Sequence, residues 1–328
     1  MATKEPVKLV EVAESAGVSI ATASNALSNK GRISEPTRLR VQKAATKLGY
    51  RANPTARTLR AGRKRLAGFV LPTVEGQFGT DSPNLFWSKL LESLAQHVSD
   101  IGFGLVVVSS EHADLLSSLP IEAAFSSDEV ADRELMKHGL AWGVPIISSA
   151  PIDDPRVRGT NSINHDQATR DVLNHLAKNG CKRPALVLMK SKAHYIMTAR
   201  LAFEDWCNKK DVTATVFECS ADAQATRQAT EDAARAGIDG VYLLTGHSPA
   251  ALDGIRAAGK RIPQDILVVA QAEGLVEAEL DPPVSNLSFQ PALLGKIAAE
   301  TLEAVMASKR RIQHTVPHKL VVRESSQR

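Results

Sequence analysis

Cysteine is scarce and poorly spaced for structural work: Cys181, Cys207 and Cys219 are an odd number with no CxxC pair. That argues against a disulfide framework or a cysteine zinc site and suits reduced thiols in a cytoplasm. Long apolar runs are also missing, and none reaches the length of a membrane span, so no membrane partner is expected. The first residues, MATKEPVK, carry charges without an apolar core, unlike a secretory signal. The familiar catalytic motifs are absent as well: no GxxxxGK(S/T) phosphate loop, no GxSxG elbow, no HExxH and no Cys/His metal spacing. Paired carboxylates such as Asp153-Asp154 stand before Pro155, where a turn is expected rather than an acid/base pair. Neither an enzyme, a cofactor nor a metal is called for.

What is present is the composition of a globular protein, 328 residues with 43% hydrophobic and 23% charged, enough for two or three domains. The net charge of +4 hides an asymmetry. Residues 1–65 hold 14 Lys/Arg against 4 Asp/Glu, whereas the remainder holds 26 against 32. A strongly basic head on a mildly acidic body points to a polyanion-binding segment joined to a body of another kind.

The head has helical periodicity. In VKLVEVAESA, Leu9, Val12, Ala13 and Ala16 fall on one face. Gly17 is placed to end that helix and Ser19 to cap the next, whose buried face is Ala23, Ala26 and Leu27. Asn29-Lys30-Gly31 reads as a turn. Ser34 caps a third helix with Pro36 in its first turn and Leu39, Val41, Ala44, Ala45 and Leu48 on its apolar side. Two short helices across a glycine turn, followed by a third, make a helix-turn-helix. The second helix has an outer face of small, mildly polar residues: Ile20, Ala21, Thr22, Ser24 and Asn25. Such a face lets a backbone approach base edges in the major groove. Lys8, Arg32, Arg38 and Arg51 on the rims are candidates for phosphates.

The run from Val7 to Gly62, with AGVSIATAS, SEPTRLRV and LGYRANPTARTLRAG followed by LAGFVLP, resembles the DNA-binding head of the LacI family of bacterial transcription regulators. The resemblance implies a homodimer on near-palindromic operator DNA, with affinity set by a small-molecule effector. By position it implies that Ile20 and Ala21 lead base reading, Ser24 and Asn25 follow one turn later, and Ser19 and Thr22 hold phosphates. Asn25 stands where many members have arginine, so the familiar half-site sequences do not transfer. Asn53 can cap, and Pro54 can open, a two-turn helix that would be marginal alone in water. The resemblance makes this the hinge helix, with Leu59 as a minor-groove wedge, Ala56 one turn before it and Arg60 alongside. Arg57, Arg60, Arg63, Lys64 and Arg65 form a basic linker. The expected domains are 1–52 for the helix-turn-helix head, 53–65 for the hinge and linker, and 66–328 for effector binding and dimerisation.

From Leu66 the pattern becomes short apolar runs alternating with amphipathic stretches. LAGFVLP, GLVVVSS, IEAAFSS, VPIISSA, RPALVLM, ATVFECS, GVYLLT and ILVVAQ read as strands, with helices near 86–101, 129–139, 166–179, 195–208, 222–236 and 248–258. A strong helix over 289–306 and a final strand in HKLVVRESSQR complete the chain. The fold class expected is α/β: a small all-α head plus a sensor of two parallel α/β subdomains, similar to the type I periplasmic-binding-protein fold. Ligands bind such folds beyond the carboxyl ends of strands, which selects Phe78 and Asp81, Ser109, Ser148, His247 and Glu273, and the resemblance adds Asn164, which with His165 stands where many members have Asp-Asn. The resemblance further implies a ligand-clamping arginine on the helix after RPALVLM, and Arg200 stands nearest. Members that bind sugars usually have a GFDD-like pattern where this chain has VVAQAEG, with Ala272 and Glu273 in place of the acidic pair. A sugar or related metabolite, a carboxylated or phosphorylated ligand and a nucleoside-like one therefore all stay open. The rivals are a transport binding protein, disfavoured by the head and the N-terminus, and a sequence-blind nucleoid protein, which salt dependence would separate.

Overall fold

The computed structural model describes residues 7, 9–27, 33–48, 50, 66–71, 85–126, 143–152, 154–308 and 310–328. The chain divides into two compact units, Met1–Lys64 and Arg65–Arg328.

The described residues of the first unit form three helices: α1 (Leu9–Ala16), α2 (Ile20–Leu27) and α3 (Glu35–Leu48). Small side chains let them pack closely around Val12, Ala13, Ala16, Ala23, Ala26, Val41, Ala44 and Ala45. The turn between α1 and α2 has a physical cause. Gly17 takes φ +62°, its N–H donates to the Glu14 carbonyl at 3.1 Å, and the Val18 N–H donates to that of Ala13 at 3.0 Å. This is the Schellman closure, and it needs a left-handed residue at Gly17. One expected core residue is corrected: Leu39 is 48% exposed. Two residues from Val41 at about 100° each, it lies on the far side of α3 from the packed stripe.

The second unit contains two six-stranded sheets. The first has the order β11-β5-β4-β3-β1-β2, from β1 (Leu66–Leu71), β2 (Gly104–Ser109), β3 (Ile121–Ser126), β4 (Ile146–Ser148), β5 (Val157–Ile163) and β11 (Ile312–Val316). The second has the order β12-β10-β9-β8-β6-β7, from β6 (Pro184–Met189), β7 (Thr215–Cys219), β8 (Gly240–Leu244), β9 (Leu267–Gln271), β10 (Ser285–Ser288) and β12 (Lys319–Val321). All recorded pairs are parallel except β10 with β12. Parallel strands need both faces covered, which explains why β6 and β8 are buried along their whole length.

The α-helices among the described residues of this unit are α4 (Leu85–Asp100), α5 (His165–Lys178), α6 (His194–Lys209), α7 (Ala223–Arg235), α8 (Ser248–Ala257), α9 (Leu275–Glu279) and α10 (Pro291–Ala307). The chain passes between the two lobes three times: after β5 into α5, after β10 into α10, and from β11 to β12. The β-α alternation matches the expectation for the described residues. The expected helix at 129–139 lies outside them.

Three strands carry no apolar run and escape sequence reading: β5 (VRGTNSI), β10 (SNLS) and β11 (IQHTV). The first two bury polar residues that are bonded by side chains. Thr301 Oγ1 donates to Asn161 Oδ1 at 2.7 Å, and Asn286 Nδ2 donates to the Ala272 carbonyl at 2.7 Å. The Ser285 hydroxyl meets that of Ser326 at 2.6 Å. The expected turn at Asp154 is present: the Val157 N–H donates to its carbonyl at 3.0 Å and the Arg156 N–H to Oδ1 at 2.8 Å. Cys207 and Cys219 are buried, and burial pushes the Cys207 thiol up to about 11, so it stays protonated and inert.

A candidate DNA-reading helix and a candidate effector cavity

In the head, Ser19 caps α2: its Oγ accepts from the Thr22 N–H at 3.1 Å and lies 2.8 Å from Thr22 Oγ1. This cap fixes the start of the helix and leaves an outer face on which Ser19, Ile20, Ala21 and Asn25 are exposed and Thr22 and Ser24 partly so. Ile20 at 44% exposed is a large apolar side chain held in water, which a thymine methyl would cover. Ser34 bonds Thr37 across the first turn of α3 at 2.9 Å. Arg38 is half-buried, and its Nε has no partner among the described residues. Lys8, Arg32, Arg51, Asn53, Ala56, Leu59 and Arg60 lie outside the described residues.

In the second unit, the carboxyl ends of the strands and two of the crossings, β5 into α5 and β10 into α10, surround a cavity of about 470 Å³. Ser148, His247 and Glu273 line it, as do Thr245-Gly246-His247 and Gln271-Ala272-Glu273 in full. Three of the expected residues do not. Ser109 closes β2 away from the cavity lining. Asn164 is exposed and serves as the cap of α5, its Oδ1 accepting from the Gln167 N–H at 3.0 Å. Arg200 donates to Glu204 at 2.9 Å and pairs with Glu218, so its guanidinium is engaged outside the cavity. The start of the same helix supplies the lining instead, through His194 and Tyr195. Phe78 and Asp81 lie outside the described residues. Sequence reasoning overlooks Asn161 and Phe289, which belong to or directly follow the polar strands β5 and β10. The available signal was the abrupt change at Phe289-Gln290 before a strong helix.

The polar groups of the cavity are few and mostly fixed. Glu273 Oε2 accepts from Ser288 Oγ at 2.6 Å and Oε1 from the Phe289 N–H at 3.2 Å. Burial raises its pKa; these two bonds and nearby Lys89, which donates to the Glu273 carbonyl at 3.5 Å, act in the opposite direction. Glu277 is buried and accepts from Ser248 Oγ at 2.8 Å and the Gly274 N–H at 3.1 Å. The His165 ring meets Phe289 edge-on at 4.8 Å and Tyr195 at 5.9 Å. Burial first, then the neighbouring His194 and His318, lower its pKa to about 4, so the ring is neutral at pH 7. Two buried atoms of lining residues, His165 Nδ1 and Thr245 Oγ1, have no hydrogen-bond partner among the described residues. Among the described residues no group of three or more His, Cys, Asp or Glu could hold a metal, and no helix is long and apolar enough to cross a membrane.

A helix-turn-helix unit joined to a two-lobed, cavity-bearing α/β unit defines a ligand-responsive DNA-binding regulator as the class. The lacI family of bacterial regulatory proteins matches residues 8–53, and the periplasmic binding protein-like domain matches residues 173–326. The chain belongs to the LacI family, and it is a DNA-binding transcriptional regulator rather than an enzyme. It is 24% identical over 325 residues to the catabolite control protein A of Streptococcus mutans serotype c, covering 93% of each chain. It is 28% identical over 312 residues to the ribose operon repressor of Bacillus subtilis, covering 90% of each. Its fold is similar to that of a lac repressor dimer bound to operator and the anti-inducer ONPF, with a TM-score of 0.84 at 19% identity over 99% and 100% of the two chains.

Proposed function

We propose that this regulator is a cytoplasmic homodimeric repressor that binds a near-palindromic operator, and that a sugar-like small molecule in the cavity modulates its affinity. The observation that carries this reading is the joining, in one chain, of a capped helix with an exposed small-residue face to a cavity lined by polar strand-end groups such as Ser148, His247 and Glu273. The domain assignment of 1–52, 53–65 and 66–328 belongs to the same proposal. Ile20, Ala21, Ser24 and Asn25 read bases; Ser19, Thr22, Lys8, Arg32, Arg38 and Arg51 position the phosphates. Asn53, Ala56, Leu59 and Arg60 form the hinge contact. Ser148, His247 and Glu273 bind the effector.

The mechanism is linkage. A ligand shifts operator affinity only to the extent that it prefers one of two arrangements of the protein. Relatives named as ribose and sucrose operon repressors support a carbohydrate-related effector. The test is selection of bound genomic fragments by the purified full-length protein at near-physiological salt. A shared near-palindrome is expected. Fragments recovered without sequence preference and released smoothly by salt would sink the operator reading.

A further inference from the structure

The cavity wall selects charge. Among the described residues that line it there is no lysine or arginine, while Asp253, Glu273 and Glu277 bring three carboxylates. Lys89 stands beside Glu273, but it donates to the backbone carbonyl from outside the lining. A chain with only 3 Trp, 3 Tyr and 8 Phe places Phe69, Phe86, Trp87, Phe125, Tyr195 and Phe289 around this one space. Phe86 and Trp87 meet edge-on at 5.1 Å, and Trp87 meets Phe69 at 6.4 Å. Aromatic faces carry negative potential and attract cations, most strongly where water is excluded. A carboxylate oxygen accepts two hydrogen bonds, and each oxygen of Glu273 takes one from the protein, so a further donor can be accepted at both.

From this we infer that, within the effector reading above on which the inference rests, the cavity takes a ring-bearing ammonium ion. Its protonated amine is seated at Glu273, and its flat apolar face lies against the aromatic wall. Carboxylated and phosphorylated ligands are rejected. A like charge held about 6 Å from one of these carboxylates loses at most roughly a hundredfold in affinity at the dielectric usual for protein sites. Lys89 beside Glu273 and Arg256, 4.0 Å from Asp253, reduce that loss, without a cation in the lining itself among the described residues.

The test uses full-length protein carrying ¹³C-methyl methionine. Met189 lines the cavity and reports binding; Met306 lies outside the lining and serves as the control. Benzylammonium, benzyl alcohol and benzoate, matched in shape and differing in charge, are titrated in turn. Benzylammonium is expected to shift Met189 alone, with affinity at least about tenfold above benzyl alcohol and with benzoate weakest. Glu273→Gln is expected to close most of the gap between the ammonium and the alcohol. Asp253→Asn, at the exposed rim, is expected to narrow it less and supplies a second reading if the first variant does not fold. Benzoate or benzyl alcohol binding as tightly as benzylammonium overturns the charge inference and leaves the cavity reading intact. So does a gap that survives both substitutions. If none of the three compounds moves Met189, the ammonium inference falls, while the sugar-like effector reading stands on its own evidence.

Discussion

Individual side chains in this regulator have separable jobs, and two substitutions isolate them. His165 takes a proton in the unfolded chain near pH 6.5, but in the folded one only near pH 4, because burial disfavours the charged ring. Between those values the unfolded state binds more protons, so stability falls as the pH drops from about 6.5 to 4 and is unaffected above that window. Thermal unfolding of wild type and His165→Asn at pH 7 and pH 5 should show a smaller acid loss in the variant. The difference is about 2 kcal/mol at most, and less to the extent that the open edge of the ring admits water. Equal acid losses would remove His165 from the account. In the head, Asn25 is exposed on the outer face of α2. Asn25→Ala should relax preference at one operator position by roughly tenfold while leaving the rest of the base profile intact. An unchanged selected profile would remove Asn25 from the readers.

Elements depend on contacts that single residues permit. Gly295 on α10 faces α4 so closely that a Cβ there would lie 2.8 Å from both the Leu90 carbonyl oxygen and the Leu94 nitrogen. Those neighbours are backbone and cannot rotate away. Gly295→Ala should therefore separate the two helices at a cost of about 1–3 kcal/mol, lowering the unfolding midpoint by several degrees. A midpoint unchanged within about a degree would show that the pair yields without strain. This close approach is invisible in the sequence, where Gly295 reads as an ordinary residue in a strong helix. The apolar strands are legible because burial on both faces demands continuous Val, Leu and Ile, as in LAGFVL and PALVLM. The strand β10 is not, because its buried Ser285 and Asn286 are held by Ser326, Arg323 and Ala272, partners distant in sequence. The site follows the same rule. Strand-end residues such as His247 and Glu273 could be picked from the α/β rhythm. Arg200 could not be excluded until its partners Glu204 and Glu218 were seen.

At the scale of the whole molecule, the proposal needs sequence reading and ligand sensing to meet in the hinge segment, where Leu59 is assigned as the wedge. An apolar wedge is stabilising only where a base step can be unstacked and the duplex bent, so its contribution belongs to the operator complex. Nonspecific binding rests on phosphate neutralisation by the basic head, and Leu59 carries no charge. Leu59→Ala should therefore weaken operator binding by at least about tenfold and change binding to random duplex by less than about twofold. The salt dependence of both should keep its slope, because the number of displaced counterions is unchanged. Fluorescence anisotropy on the two duplexes across a salt series measures all three quantities. Equal losses on both DNAs would make Leu59 a packing residue of the head, and a shallower slope would mean that the substitution also disturbs the basic linker around it.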